Sequence, residues 1–136
     1  MKREVVEKGI QIKSYEIDAM GIVSNITYVK WFEDIRHDFL DVYYPYDEMM
    51  KTGISPMLMK TEVEYKLPLT IQDHPVGKCW VIKMEKMRWE ICFEIYKNDK
   101  VCCSGIQKGC FWDLNRKRPT YVPKRMRQAF EEYKSE

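Results

Sequence analysis

A long helix dominates the pattern of apolar and polar positions along the chain. From Ile26 onward, apolar side chains recur with the spacing of one helix face: Val29, Phe32, Ile35, Phe39 and Tyr43, widened by Tyr28, Trp31 and Leu40. This apolar face is broader than an ordinary surface helix requires. The pattern therefore predicts a helix from Asn25 to Tyr43 that the rest of the fold largely encloses. Pro45 is expected to end it, because proline disfavours the helical conformation in the residue before it.

Most of the remaining chain has the alternation and the β-branched content of strands. These patterns predict five strands, over Val5 to Ile17, Ile54 to Leu67, Val76 to Lys86, Met87 to Tyr96 and Lys100 to Leu114. In the second strand, one side is expected to hold Met57, Met59, Thr61, Val63, Tyr65 and Leu67. Asn98 and Asp99 predict a hairpin turn, since both residues tolerate positive φ. Arg116 to Pro119 is expected to form a further turn.

Two short helices complete the predicted elements. The first runs from Tyr46 to Thr52 and is expected to end with Gly53 as its cap. The second, from Val122 to Tyr133, is amphipathic. A long helix followed by a run of strands indicates an α+β fold rather than an alternating α/β fold. We expect a curved antiparallel sheet wrapped around one long central helix, with a short helix at the C-terminus.

Length and composition are those of one globular domain. The chain has 136 residues, 45% of them hydrophobic and 32% charged, which allows a substantial core and no disordered region. We predict a single domain over residues 1–136. No apolar run approaches the roughly 20 residues that span a bilayer, and the N-terminus lacks the apolar core of a signal peptide. A cytoplasmic protein with no membrane partner is therefore expected.

The charge pattern gives no strong indication of a nucleic-acid partner. The formal net charge is only +2, so no strong long-range field is implied. Basic residues do cluster near the C-terminus, at Arg116, Lys117, Arg118, Lys124, Arg125 and Arg127. Two interpretations remain open at this point: a solvated basic end of the chain, or a contact for a phosphate-bearing ligand.

The cysteines point to buried free thiols rather than to crosslinks or metal binding. There are five of them, with one adjacent pair and no CxxC motif: Cys79, Cys92, Cys102, Cys103 and Cys110. An odd count without such spacing argues against a disulfide framework or a zinc knuckle. With only His37 and His74 as histidines, we expect no metal site.

A motif spans the end of the first predicted strand and the start of the long helix. The string DAMGIVSNITYVKWFEDIR, from Asp18 to Arg36, resembles the junction of hotdog-fold acyl-CoA thioesterases of the 4-hydroxybenzoyl-CoA thioesterase type. The positions that match the pattern of this family are Asp18, Gly21, Val23, Tyr28, Trp31, Glu33 and Arg36. The predicted order of elements agrees with the family along most of the chain. One departure is Ser24-Asn25, where many bacterial relatives carry tyrosine-histidine.

The resemblance implies a fold, an assembly and a catalytic site. Hotdog proteins associate through their sheets, so a homodimer or homotetramer is expected, with active sites at the subunit interface. The family aspartate maps onto Asp18 as the catalytic carboxylate. The backbone amide that polarises the thioester carbonyl maps onto Asn25, seven residues further on. The resemblance implies no cofactor, because coenzyme A is part of the substrate.

Elementary chemistry supports this assignment. Thioester hydrolysis develops negative charge on the carbonyl oxygen, and a helix N-terminus offers unpaired N–H donors and a partial positive charge. Preorganised donors of this kind contribute roughly 3–4 kcal/mol to lowering a barrier. A nearby carboxylate can act as general base on water or attack the thioester directly. Both roles remain open for Asp18.

Further residues are expected around the substrate. Gly21 permits the bend of the loop, Ser24 adjoins the oxyanion amide, and Tyr28 is a candidate for the pocket wall. Met59 is a candidate for an adaptable acyl pocket, because thioethers fill irregular apolar space, and Lys60 for a contact with the coenzyme A phosphates. Glu33 and Arg36, three residues apart on the helix, are instead expected to form a structural ion pair.

Three alternatives to acyl-CoA hydrolysis remain at this point. The thioester could be carried by acyl carrier protein rather than by coenzyme A. The same fold could bind acyl-CoA without turning it over, which the Ser24-Asn25 departure keeps open. An unrelated α+β protein with a basic end could bind RNA, in which case affinity would fall steeply with salt.

Overall fold

A computed structural model describes residues 6–135 of the chain. Along these residues the elements are β1 (Val6–Gly9), α1 (Asn25–Tyr43), α2 (Tyr46–Thr52), β2 (Ile54–Tyr65), β3 (Val76–Met84), β4 (Arg88–Lys97), β5 (Lys100–Asp113), β6 (Arg118–Thr120) and α3 (Lys124–Ser135). A single 3-10 turn over Ser14–Glu16 precedes α1. No helix within these residues is long and apolar enough to cross a bilayer.

The predicted α+β architecture is confirmed. The strands form one curled antiparallel sheet in the order β1-β3-β4-β5-β2, and β6 adds to β5. The apolar face of α1 packs against the sheet, as its periodicity predicted. At the centre, the Phe32 ring stacks on Phe93 with 4.8 Å between ring centroids. Phe32 also lies over Gly105, where a Cβ atom would come within 2.4 Å of the ring. The core is therefore closed around the middle of α1.

The bounds of α1 and α2 and two turns agree with the sequence prediction. Helix α1 runs from Asn25 to Tyr43, and α2 from Tyr46 to Thr52. Gly53 ends α2 in the left-handed conformation, with φ +72°, which favours glycine because it has no Cβ atom. Asn98 likewise has positive φ, at 56°, in the hairpin between β4 and β5.

The first strand is shorter than the predicted span from Val5 to Ile17, of which Val5 lies outside the described residues. Strand β1 ends at Gly9. Beyond it, Ile12 turns into the core, and the amides of Glu16 and Ile17 bond locally to the carbonyls of Lys13 and Ser14. Burial of Ile12 and these local bonds replace the sheet ladder.

A β-bulge changes the predicted face of β2. The register with β5 shifts between Leu58 and Lys60, so Met59 is the extra residue. Before the bulge Leu58 packs toward the core, and after it Val63 does so. Met57 and Met59 are exposed instead. The prediction that both methionines share a face with Thr61 and Val63 was therefore wrong, because one inserted residue reverses the alternation.

Three predicted boundaries also change because of contacts with distant segments. Strand β2 stops at Tyr65, since the amides of Lys66 and Leu67 both donate to the carbonyl of Cys102. The predicted turn from Arg116 to Pro119 contains the start of β6, which pairs with the end of β5. Helix α3 begins at Lys124 rather than Val122, whose amide donates to the carbonyl of Lys86.

None of the five cysteines forms a disulfide, as the sequence predicted, and Cys92 is half-buried whereas the other four are buried. Burial raises the pKa of the Cys79 and Cys103 thiols to about 12. In the unfolded chain they ionise near their ordinary value of 9.0. The stability that depends on these two neutral thiols is thus complete below pH 9 and is lost as pH rises toward 12.

We therefore expect the free energy of unfolding to fall between pH 9 and pH 11, by on the order of 1 kcal/mol per thiol and pH unit. The measurement is urea unfolding at a series of pH values, comparing the chain with its Cys79→Ala/Cys103→Ala variant. The free energy of unfolding of the variant should be lower at neutral pH because the variant loses packing, but it should depend less on pH. Equal pH slopes for the two proteins would contradict the assignment.

Candidate active site

A tight loop before α1 holds the motif aspartate. Oδ1 of Asp18 accepts hydrogen bonds from the amides of Met20 at 2.8 Å and Ile22 at 3.4 Å. Gly21 follows with φ +80°, so the bend predicted at this glycine is present. The Asp18 side chain is exposed, and its Oδ2 atom has no hydrogen bond to any residue that the structure describes. One carboxylate oxygen fixes the loop while the other stays available.

The two ends of this loop are joined by backbone pairing. Ile17 and Val23 form an isolated antiparallel bridge, and the amide of Ser24 donates to the carbonyl of Glu16 at 2.9 Å. Asp18 follows one side of the bridge directly, and Asn25 follows the other side by two residues. In this antiparallel register Asp18 lies opposite Ile22 in the loop, whereas Ser24 lies opposite Glu16 on the helix side of the bridge. One short bridged segment therefore carries Asp18, Gly21, Ser24 and Asn25.

The N-terminus of α1 is open to a ligand. Ser24 occupies the N-cap position, but its hydroxyl pairs with that of Thr27 at 2.8 Å and caps no backbone amide. The first turn contains no acidic residue. The Asn25 amide donates to no acceptor among residues 6–135. Unpaired amides and the helix dipole together favour an anion at this position. Asn25 is thus the first helical residue rather than the cap, as the oxyanion assignment requires.

Two tyrosines form one wall beside the helix start. Tyr28 is 3% exposed and makes edge contacts with Trp31 and Tyr65, at ring distances of 5.2 and 5.5 Å. The hydroxyl of Tyr65 donates to the carbonyl of Asn25 at 3.0 Å. Burial raises the pKa of both phenols, so both remain neutral at physiological pH. Tyr65, at the end of β2, therefore anchors the first turn of α1, a role that its position 40 residues away conceals in the sequence.

Exposed apolar side chains surround this loop. Tyr15 is 83% exposed, Met20 78% and Ile26 68%. Clusters of large exposed apolar side chains on a folded domain mark surfaces that bind a ligand or a protein. This rim is therefore part of the candidate site or of an adjoining interface.

Met59 and Lys60 are not brought to this loop within one protomer. They lie five to six residues before Tyr65 on β2, or about 15–20 Å along an extended strand. Met59 contacts the guanidinium group of Arg88 at 3.8 Å, and Lys60 forms an ion pair with Glu62 at 2.8 Å. Their predicted contacts with substrate stay predictions.

The predicted ion pair on α1 is confirmed and belongs to a larger, partly buried network. Arg36 donates to Glu33 at 2.7 Å and to Oε1 of Gln107. Nε2 of Gln107 donates to Glu33 at 3.0 Å and faces the Thr61 hydroxyl at 3.4 Å. Gln107 is fully buried. No local pattern in the sequence singles out Gln107, because its partners lie 46 to 74 positions away.

Replacing Gln107 with leucine, which has a similar volume, should lower the free energy of unfolding by about 2 kcal/mol. The change leaves the Arg36 guanidinium, which is 19% exposed, without one of its acceptors, and it removes one donor from the Glu33 carboxylate. Urea unfolding measures the loss, with Gln128→Leu on the exposed face of α3 as the matched control. A loss below about 0.5 kcal/mol, the ordinary range for surface changes, would show that the network contributes little.

A half-barrel of antiparallel strands around one long helix defines a protein of the hotdog class. Residues 12–130 match the family model described as the thioesterase-like superfamily. The chain belongs to this superfamily, and it is a thioester hydrolase. Membership favours hydrolysis over the non-catalytic and RNA-binding alternatives.

One relative by sequence agrees with this membership, and two solved structures share the fold. The acyl-acyl carrier protein thioesterase ATL3 of Arabidopsis thaliana is 26% identical over 129 residues, which cover 93% of this chain and 68% of that protein. The fold is similar to that of SAV2348 from Staphylococcus aureus in complex with CoA, with a TM-score of 0.90, 13% identity, and coverage of 98% and 85% of the two chains. DHNA-CoA thioesterase of the same organism has a TM-score of 0.82, 23% identity, and coverage of 95% and 88%.

Proposed function

We propose that the chain is an acyl-CoA thioesterase of the 4-hydroxybenzoyl-CoA thioesterase type, with Asp18 as its catalytic carboxylate and the Asn25 amide as its oxyanion donor. The observation that carries the proposal is that an exposed carboxylate and an uncapped helix start lie on either side of one backbone bridge. The motif that resembles the family falls on these residues.

The proposed reaction uses these two groups in complementary roles. The amides at the start of α1 hold the carbonyl oxygen as it becomes negative, and the helix dipole adds to their effect. Asp18 takes a proton from water, whose oxygen attacks the carbonyl carbon. The C–S bond then breaks, and the thiolate leaves and is protonated. The products are a free acid and a thiol, and no redox or metal step is required.

Direct attack by Asp18 is the second chemical route. A carboxylate oxygen would then form a mixed anhydride with the acyl group, which water later hydrolyses. A single turnover in ¹⁸O-labelled water tests for this route. Water that attacks the thioester places the label in the product acid, and so does water that attacks the acyl carbon of the anhydride. Label found in Asp18 therefore identifies the anhydride, because only attack on its Asp18 carbonyl places the label there.

A homodimer formed through β2 fits the exposed surfaces of the sheet. In the described sheet, β2 pairs only with β5, so its other edge is free over 12 residues. A long free edge carrying exposed apolar side chains favours pairing with another strand; those on β2 are Met57, Met59 and Tyr65. If the β2 strands of two copies pair antiparallel along their full length, the two-fold axis passes between Met59 and Lys60. These two residues would then lie at the subunit contact.

The first experiment is a panel of acyl-CoA thioesters of different chain length and aromaticity, with the released thiol detected by a chromogenic reagent. The proposal expects turnover of at least one class and loss of that turnover in Asp18→Asn. Stabilisation of the protein by acyl-CoA without turnover would support the binding alternative instead. Analytical ultracentrifugation of the same sample tests the dimer.

Acyl carrier protein is the second candidate for the thiol component of the substrate. The name of the Arabidopsis relative assigns carrier-protein thioesters to that protein. The motif and the loop geometry are the same for either thiol, because both present a thioester on a pantetheine arm. The choice therefore depends on surfaces outside the loop.

A further inference from the structure

The most strongly charged surface lies at the end of the molecule away from Asp18 in the same protomer. We call it the basic end and define it as Arg116, Lys117, Arg118, Lys124, Arg125 and Arg127. All six side chains are exposed. The sequence from Leu114 to Arg127 contains no carboxylate, and acidic residues outnumber basic ones in the rest of the chain. A chain of net charge +2 thus carries one concentrated cationic surface.

Counter-ions within the protomer leave most of this charge unbalanced. Asp113 precedes the segment, and its carboxylate accepts the amides of Asn115 and Arg116, each at 2.9 Å. These hydrogen bonds from backbone amides, with the nearby guanidinium groups as smaller causes, hold the pKa of Asp113 below its ordinary value. Arg125 approaches Glu48 at 3.8 Å. Among the described residues, no other ion pair involves the basic end.

Backbone contacts fix the basic end to segments that adjoin the ends of strands in the sheet. The amide of Leu114 donates to the carbonyl of Gly53 at 2.8 Å, and the amide of Val122 donates to that of Lys86 at 2.6 Å. Between the basic residues, Tyr121 is 63% exposed. The surface is therefore a fixed, two-segment cationic face with an apolar side chain within it.

The proposed dimer places this face beside a catalytic loop. Within one protomer, the 19 residues of α1 separate its two ends by about 28 Å. Antiparallel pairing about the middle of β2 instead puts the Tyr65 end of one copy beside the Ile54 end of the other. Tyr65 bonds to Asn25, and Ile54 follows Gly53, to which Leu114 bonds. The basic end of one copy thus flanks the Asn25 end of α1 in the second copy.

We propose that the basic end docks an acidic carrier protein, whose acyl thioester is hydrolysed at the α1 start of the second copy. This inference rests on the proposed function and its dimer. The cations are spread over a turn, a strand and the first turn of a helix, which suits the face of a protein more than the few phosphates of free coenzyme A. The net negative charge elsewhere disfavours wrapping by a nucleic acid.

The test compares one acyl chain on two carriers. The same acyl group is loaded on acyl carrier protein and on coenzyme A, and kcat/KM is measured for both at low and physiological salt. The variant Lys117→Glu/Lys124→Glu takes one cation from each segment; neither side chain bonds to another described residue. The control Lys30→Glu/Lys100→Glu changes net charge equally at exposed sites elsewhere.

We expect the basic-end variant to lower kcat/KM for the carrier-protein thioester by about tenfold or more at low salt, since complementary charge raises association rates. The control should change it less than threefold, and the ratio of the two substrates should shift toward coenzyme A. If the charge reversal harms folding, the neutral variant Lys117→Gln/Lys124→Gln replaces it and should also lower kcat/KM for the carrier-protein thioester.

Three outcomes would overturn the inference. One is equal loss on both substrates, which would indicate a site for nucleotide phosphates. Another is salt-dependent binding of RNA that the variant abolishes without any effect on carrier-protein turnover. The third is wild-type hydrolysis of acyl-CoA with no turnover of the carrier-protein thioester. In that case the proposed function survives, whereas the absence of turnover on acyl-CoA would contradict the proposed function itself.

Discussion

Replacing Asp18 with asparagine should lower kcat for acyl-CoA hydrolysis by about 10²- to 10⁴-fold, the usual contribution of a positioned acid–base group. Asparagine keeps an oxygen at the Oδ1 position, so the bonds from the Met20 and Ile22 amides survive. It removes the charge that would take a proton from water or attack the thioester. Steady-state kinetics on the best acyl-CoA of the panel measures the loss.

The matched control is Asp41→Asn, at an exposed position near the other end of α1. It removes the same charge and should leave kcat within twofold of the parent chain. The melting temperature of Asp18→Asn should stay close to that of the parent, because the loop keeps its hydrogen bonds. Undiminished turnover in folded Asp18→Asn would assign the chemistry to another group and end the proposal for this residue.

Replacing Gly109 with alanine should cost about 3 kcal/mol or more of unfolding free energy, at or above the usual range for overpacking. A Cβ atom there would lie 2.2 Å from the carbonyl oxygen of Met57 and 2.3 Å from the ring of Trp89. Gly109 pairs with Leu58 immediately before the bulge at Met59. A backbone carbonyl cannot rotate away as a side chain can, so strand β2 itself must move. Urea unfolding and the thermal midpoint measure the effect.

Gly9→Ala is the control for this change, because a Cβ atom at Gly9 meets no atom within 4 Å. Its stability should stay within about 0.5 kcal/mol of the parent chain, the ordinary range at surface positions. Since β2 is also the proposed dimer edge, Gly109→Ala should weaken self-association as well. Equal stability of the two alanine variants would mean that the bulge adapts without strain.

Local interactions explain why the helices were predicted well. The bounds of α1 follow from its own apolar periodicity and from Pro45, and α2 ends at Gly53 because glycine accepts positive φ. These features act within a few residues of sequence. The ion pair of Glu33 and Arg36 was predictable for the same reason, since a helix places residues three apart side by side.

Distant contacts explain the errors in the strands. The bulge at Met59 shifts the register between β2 and β5, and its partner residues on β5 lie nearly 50 positions further along the chain. The end of β2 depends on the carbonyl of Cys102, and Gln107 is polar in sequence but fully buried because its partners come from α1 and β2. No local pattern encodes such pairings, and one inserted residue is enough to reverse a face.

The sequence by itself determined the candidate catalytic loop, because Asp18 and Asn25 are only seven positions apart and a short bridged loop keeps them together. It also determined the central helix, because the broad apolar face of α1 must be buried by the rest of the fold. Only the tertiary structure decided that Tyr65 anchors the helix start, that the edge of β2 stays free, and that the basic end joins the sheet at Gly53. These features depend on which strands pair and in what register, and the free energy of pairing comes from residues far apart in the chain.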